Sequence, residues 1–372
     1  MRSMATSSTL PIAVFVTPHG FGHAARATAV MDALRRRDDG YFFEIFTTIP
    51  GWFFEDSLGE TFRRHEVITD IGMVQRDPFH EDAAATLTRL DDFLPFPAAL
   101  VADLAATLRR LHCRLVLCDI APLGIAVAQA AGLPAVLVEN FTWDWVYRSY
   151  VNAHPGFARH GDYLARLFRQ ADLHIQTEPV CRRRRNRPCT GPASRPPRNP
   201  AAVTRQRLGI PPDRRLVVIT GGGILWPPTI ALHADTVPDY IHLLVCGGDE
   251  STPAPPNFTL LPHRSPVYHP DIMAAADAVI GKVGYSTLAE VYHAGTPFGY
   301  LPRPHFIESR PLVRFIRRHM AGLPFTRADF AGDTWIEKIR RLLQVPVPPP
   351  AGTNGAVEIA ARIHSFLLEY DR

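Results

Sequence analysis

Cysteine is scarce: five residues in 372, an odd and scattered set that argues against a disulfide framework. Cys113 and Cys118 lie beside a predicted strand, Cys181 and Cys189 flank an arginine run, and none has zinc-site spacing. A reduced, cytoplasmic setting is expected. No apolar run approaches the roughly 20 residues of a membrane span. The first, Leu10–Val16, is too short for the core of a secretion signal, so the expectation is at most a peripheral place at the inner membrane face. There is no basic stripe interleaved with aromatics, and the net charge of +4 is modest, which argues against a nucleic-acid partner. A D-x-D arrangement is also missing, and no metal is expected.

What is present is length and alternation. A chain of 372 residues, 46% hydrophobic and 20% charged, is globular and too long for one ordinary core. PIAVFVT (11–17) reads as a buried strand and HAARATAVMDALRRR (23–37) as an amphipathic helix, followed by the strand YFFEIFTT (41–48). A helical region over about 81–111 is interrupted by Pro95 and Pro97. Then come RLVLCD (114–119), APLGIAVAQAAG (121–132) and LPAVLVEN (133–140). The arginine- and proline-rich stretch 181–200 predicts a solvated linker rather than a packed element or a phosphate site. Alternation restarts through RLVVIT (215–220), YIHLLVC (240–246), DIMAAADA (271–278) and STLAEVYHAG (286–295). The expected class is α/β: two doubly wound, Rossmann-like domains at 1–178 and 201–345, joined by a linker at 179–200. Residues 346–372 form a last helix expected to return to the first domain. Such a pair leaves a cleft between the carboxyl ends of its sheets.

Three loops fall at those ends. In PHGFGHA and the alanine after it, Gly20, Gly22 and Ala25 match a dinucleotide fingerprint, but the second strand ends in Thr47-Thr48, with Glu44 mid-strand, and lacks its acidic partner. His23, opening the helix, is instead placed to move a proton; His19 reads as a surface or core histidine. Asp119 ends its strand at the same edge, where it either orients a histidine or caps the next helix. In IGKVGYSTLAE (280–290), Gly281 and Gly284 allow close backbone approach, and Ser286 or Thr287 begins a helix whose amides suit a phosphate. Glu290 is either a ribose ligand or the last member of a capping box begun by Thr287. Gly222 and Gly223, after their own strand, offer a second phosphate cradle.

Taken with ENFTWDWVYRSYV (139–151), MAAADAVIGKVGYSTLAE and PRPHFIE, these loops resemble the two-domain GT-B glycosyltransferases that use nucleotide sugars. The nearer likeness is to the glycosyltransferase-like N-terminal region of plant L-arabinokinases, over nearly the whole chain except the linker. It does not extend to a kinase half, so no sugar-kinase function is implied. The resemblance implies a base at His23, in the Gly22-His23 pair, and an acidic partner at Asp119. It implies a ribose ligand at Glu290 and a sugar-hydroxyl ligand at Glu308. Ser309 stands where a glutamine usually follows, and the tryptophan signature that stacks on the base is missing. Sugar and nucleobase therefore stay open, uridine being the family's usual base. The donor side also takes in Lys282, Tyr285 and Arg303, and the acceptor side Phe21, Trp52, Trp143 and Trp145, the last two equally readable as core. The implied reaction is metal-independent transfer to a hydroxyl of a small molecule, saccharide or lipid, with a nucleotide sugar as co-substrate and no other cofactor. A non-catalytic sugar-nucleotide module and a sugar-nucleotide epimerase remain alternatives.

Overall fold

A computed structural model describes residues 9–77, 79–221, 237–247, 257–331, 334–348 and 352–370. The chain opens with β1 (Leu10–Val16), α1 (Phe21–Arg35), β2 (Tyr41–Phe46), α2 (Gly51–Leu58) and β3 (Phe62–His65). A short ribbon, β4 (Gln75–Asp77) and β5 (His80–Glu81), precedes α3 (Ala83–Phe93) and α4 (Ala98–Arg110). Then follow β6 (Leu115–Asp119), α5 (Pro122–Ala131), β7 (Ala135–Glu139), α6 (Trp143–Arg148), α7 (Phe157–Phe168), β8 (Leu173–Thr177) and β9 (Cys189–Thr190). Beyond these lie α8 (Ala201–Arg207), β10 (Arg215–Thr220), β11 (Ile241–Cys246), β12 (Phe258–Leu261), α9 (His269–Ala275) and β13 (Ala278–Lys282). The chain continues through α10 (Tyr285–Ala294), β14 (Phe298–Leu301), α11 (Ser309–His319), β15 (Gly322–Pro324), α12 (Thr334–Leu342) and α13 (Gly355–Tyr370).

The strands form two parallel sheets, ordered β3-β2-β1-β6-β7-β8-β9 and β12-β11-β10-β13-β14-β15. Their central strands are continuous apolar runs because helices cover both faces: Ile12 through Val16 are fully buried, as are Leu216 through Ile219. In each sheet the strand order reverses beside the first strand, between β1 and β6 and between β10 and β13. These are the switch points at which doubly wound sheets open a crevice. Register sets Val16 beside Asp119 in one sheet and Thr220 beside Gly281 in the other.

The expected helical region at 81–111 is α3 and α4, broken at Pro95 and Pro97, with Asp82 capping α3 by accepting from the Ala85 amide at 3.0 Å. The last helix, α13, buries Ile359, Ile363 and Leu367 in one apolar cluster with Val30 and Leu34 of α1. His364 Nδ1 meets the Tyr41 hydroxyl at 2.7 Å. The stretch 181–200 departs from its expectation. Cys189–Thr190 adds the edge strand β9, and Ala193, Ser194 and Arg195 are buried. Prolines hold this segment extended and cost it no helix. Buried partners take up its polar groups, as where Asp271 Oδ1 accepts from the Arg198 amide at 2.6 Å. Among the described residues no helix is long and apolar enough to cross a membrane.

Candidate functional site

The turn after β1 runs directly into α1, with Gly20 as N-cap at φ 75°, a conformation that favours glycine. His23 thereby lies in the first turn of α1, next to the carboxyl end of β6. Its Nδ1 is 2.9 Å from Asp119 Oδ1. Arg26, one turn on, grips the same carboxylate twice, from Nε and Nη2, each at 2.7 Å. Burial pushes the Asp119 carboxyl up, but the Arg26 guanidinium and the His23 hydrogen bond outweigh it and hold the group below its usual range. Asp119 is thus a buried carboxylate that orients His23, and it does not cap α5, whose N-cap is Ala121.

The network continues across the cleft. Arg26 Nη1 donates to Asn140 at 2.6 Å, Asn140 Nδ2 donates to Glu308 at 3.0 Å, and Arg303 Nη2 donates to Glu308 at 3.1 Å. His23, Gly22, Lys282, Gly284, Tyr285, Ser286, Thr287, Arg303 and Glu308 line one cavity between the sheets. His19 lines it too. Burial, then His23, Arg303 and Lys282, push the His19 imidazole well below its usual range, so it is neutral at neutral pH. Burial and Arg303 likewise bring the Lys282 ammonium down to about 7. Tyr285 is tied down: its hydroxyl meets Thr177 at 2.8 Å and accepts from the Ala193 amide at 2.9 Å, while Arg26 lies over its ring.

A second cavity meets the first at Ser286 and Thr287, the start of α10, and contains Glu290. Here the capping-box reading fails. The N-cap of α10 is Gly284, which puts Glu290 more than a turn inside the helix. Its carboxylate instead accepts from Arg195 Nε and Nη2 at 3.0 and 2.9 Å, and its other oxygen is 3.0 Å from His269 Nδ1. Burial pushes Glu290 up, but Arg195 and His269 dominate and bring it to about 2. Burial lowers His269, yet hydrogen bonds to Cys246 and Glu290 raise it to about 9.

Several expected residues lie elsewhere. Trp143 is fully buried, its ring edge-on to His19 at 5.5 Å and tilted against His23 at 6.4 Å, so it supports the histidines from below and offers no acceptor surface. Trp145 packs half-buried against the same core. Phe21 and Trp52 line the cavity of Glu290, with Phe21 stacked on Phe53 at 4.9 Å. Gly281 is a glycine for packing reasons, since a Cβ there would meet the Thr220 carbonyl oxygen at 2.9 Å. Glu44, mid-strand as read from the sequence, is buried and paired with His65 at 2.6 Å. Gly222 and Gly223 lie outside the described residues. Sequence reasoning missed Arg26 and Asn140, although a helical i+3 spacing from His23 and a strand end beside Asp119 carried the signal. It also missed Arg195 and His269, which nothing local marks.

The architecture is that of the GT-B glycosyltransferases: two parallel-sheet domains enclosing a cleft, as in solved structures of that class. The chain matches the spinosyn forosaminyltransferase SpnP with a TM-score of 0.59 and 16% identity, over 97% of this chain and 96% of that one. It matches Medicago truncatula UGT71G1, solved with UDP-glucose, with a TM-score of 0.58 and 14% identity over 98% and 95%. In sequence it is 29% identical to an L-arabinokinase of Arabidopsis thaliana over 96% of this chain and 34% of that protein. It is also 29% identical to a Corynebacterium glutamicum UDP-N-acetylglucosamine–N-acetylmuramyl-(pentapeptide) pyrophosphoryl-undecaprenol N-acetylglucosamine transferase, over 40% of this chain and 44% of that one. The chain therefore spans a third to under a half of the length of these curated relatives. No family model matches it.

Proposed function

We propose that the protein is a glycosyltransferase that moves a sugar from a UDP-sugar to a hydroxyl acceptor with inversion, His23 being the general base. The His23–Asp119 pair at one switch point, facing the start of α10 at the other, carries this reading. With Nδ1 committed to Asp119, Nε2 is the nitrogen left to take the acceptor proton as the hydroxyl oxygen attacks the anomeric carbon. The bond from that carbon to the diphosphate breaks, and the charge on the departing nucleotide falls to the amides of α10 and to Lys282. Asp119, kept ionised by Arg26, stabilises the imidazolium that results. Glu308 takes hydroxyls of the donor sugar, Glu290 the ribose, and Phe21 and Trp52 flank the nucleoside. The diphosphate is assigned to the amides at the start of α10 and to the cations beside them.

UDP bound by one protein and UDP-glucose by another of this fold support the donor class. A thermal-shift screen of nucleotides, followed by assays of UDP release from UDP-sugars, tests it. We expect UDP to raise the melting temperature and at least one UDP-sugar to be consumed. No stabilisation by any nucleotide would remove the reading, and binding without turnover would leave a sugar-nucleotide module.

A further inference from the structure

Between Ser309 and Ala328 the sequence holds five arginines and no acidic residue. Four of them lie on α11. Arg310, Arg314 and Arg317 follow one another at four- and three-residue spacing, which sets them on one face of the helix. All three are exposed, and with Arg318 they line an open groove along Val313. None of the four makes an ion pair among the described residues; Arg317 is steadied by the Tyr300 hydroxyl at 3.4 Å. Like charges one turn apart repel, and no carboxylate offsets them here. Arg303 also lines the groove, as it lines the cavity between the sheets. Arg303 is 4% exposed, and its Nη atoms face Glu308 and Glu81, yet its Nε is buried with no hydrogen-bond partner. A concave run of exposed guanidinium groups suits planar, multiply charged oxyanions.

We propose that this groove is a second anion site, one that takes the phosphate group of a ligand other than the sugar donor. The phosphate belongs to a soluble phosphate ester or to an anionic phospholipid headgroup, and two probes separate them. Inorganic pyrophosphate is titrated by calorimetry at fixed ionic strength. Co-sedimentation is run with phosphatidylcholine vesicles containing about 30% phosphatidylglycerol, or none. Both are applied to the native protein, to Arg314→Glu/Arg317→Glu, to the milder Arg314→Gln/Arg317→Gln, and to Arg182→Glu/Arg185→Glu as a charge-matched control in the exposed arginine run. We expect the groove substitutions to weaken one probe by at least about tenfold, with the glutamine pair intermediate and the control unchanged. Pyrophosphate loss identifies a soluble ester, and loss of binding to the anionic vesicles identifies a headgroup. Equal loss in the control, or failure of the native protein to bind either probe, overturns the proposal.

Discussion

Asp119 serves both the His23 imidazole and the Arg26 guanidinium, and this decides what its substitution does. Asp119→Asn keeps the shape but leaves the Arg26 guanidinium buried without a counter-charge, and breaking such a pair costs about 3–5 kcal/mol. We expect a large fall in melting temperature together with a loss of turnover smaller than that of His23→Ala; an unchanged melting temperature would show that Arg26 does not depend on Asp119. Glu290 behaves similarly. Glu290→Gln should weaken UDP binding by about tenfold or more as a charge-assisted ribose contact is lost. It should also lower the melting temperature, because Arg195 loses its buried partner. Calorimetry with UDP and 2′-deoxy-UDP separates the two effects: if wild type binds both ligands equally, Glu290 is a clasp for Arg195 and no ribose ligand. At this scale His23 and Asp119 were legible because strand ends at a switch point are readable from a run of apolar residues and the turn that follows. The partners of Glu290 were not, since Arg195 and His269 come to it only through the tertiary fold.

Among the elements, the segment from β9 to α8 binds the two halves through the Arg195–Glu290–His269 cluster. The Glu290 pKa lies below its ordinary value, so its contribution is full above about 4.5 and is lost as pH falls toward about 2. The His269 pKa is raised, so its contribution is full below about 6.5 and is lost as pH rises through about 9. Melting temperature against pH should decline on both sides of that window, and His269→Gln should flatten the alkaline decline; the same alkaline slope in both proteins would remove His269 from the clasp. The glycines near α10 divide in the same physical way. A Cβ at Gly284 meets nothing within 4 Å, so Gly284→Ala should fold normally and impair only donor binding. Gly281→Ala must displace the Thr220 backbone and should lower the melting temperature. Thermal melts and UDP titration of the two variants check this. The sequence disclosed the long alternating strands and helices, but α2 and α6 are short and aromatic-rich. Trp52 therefore reads as a loop residue open to a substrate, and Trp143 and Trp145 read equally as such or as core. Only the packed helices show Trp143 to be core.

For the molecule as a whole, two parallel sheets were inferable because buried parallel strands are written as unbroken apolar runs. The packing of the arginine- and proline-rich segment was not, because composition reports solvation of the free chain and says nothing of carboxylates waiting on another element. If amides and Lys282 hold the diphosphate, transfer should survive EDTA, and an absolute requirement for Mg²⁺ or Mn²⁺ would contradict that assignment. The most direct test of the central claim compares wild type and His23→Ala in UDP-sugar consumption and in UDP affinity. We expect turnover to fall by about 10²–10⁴-fold while the dissociation constant for UDP is unchanged. Turnover equal to wild type in His23→Ala would contradict the assignment of His23 as the base.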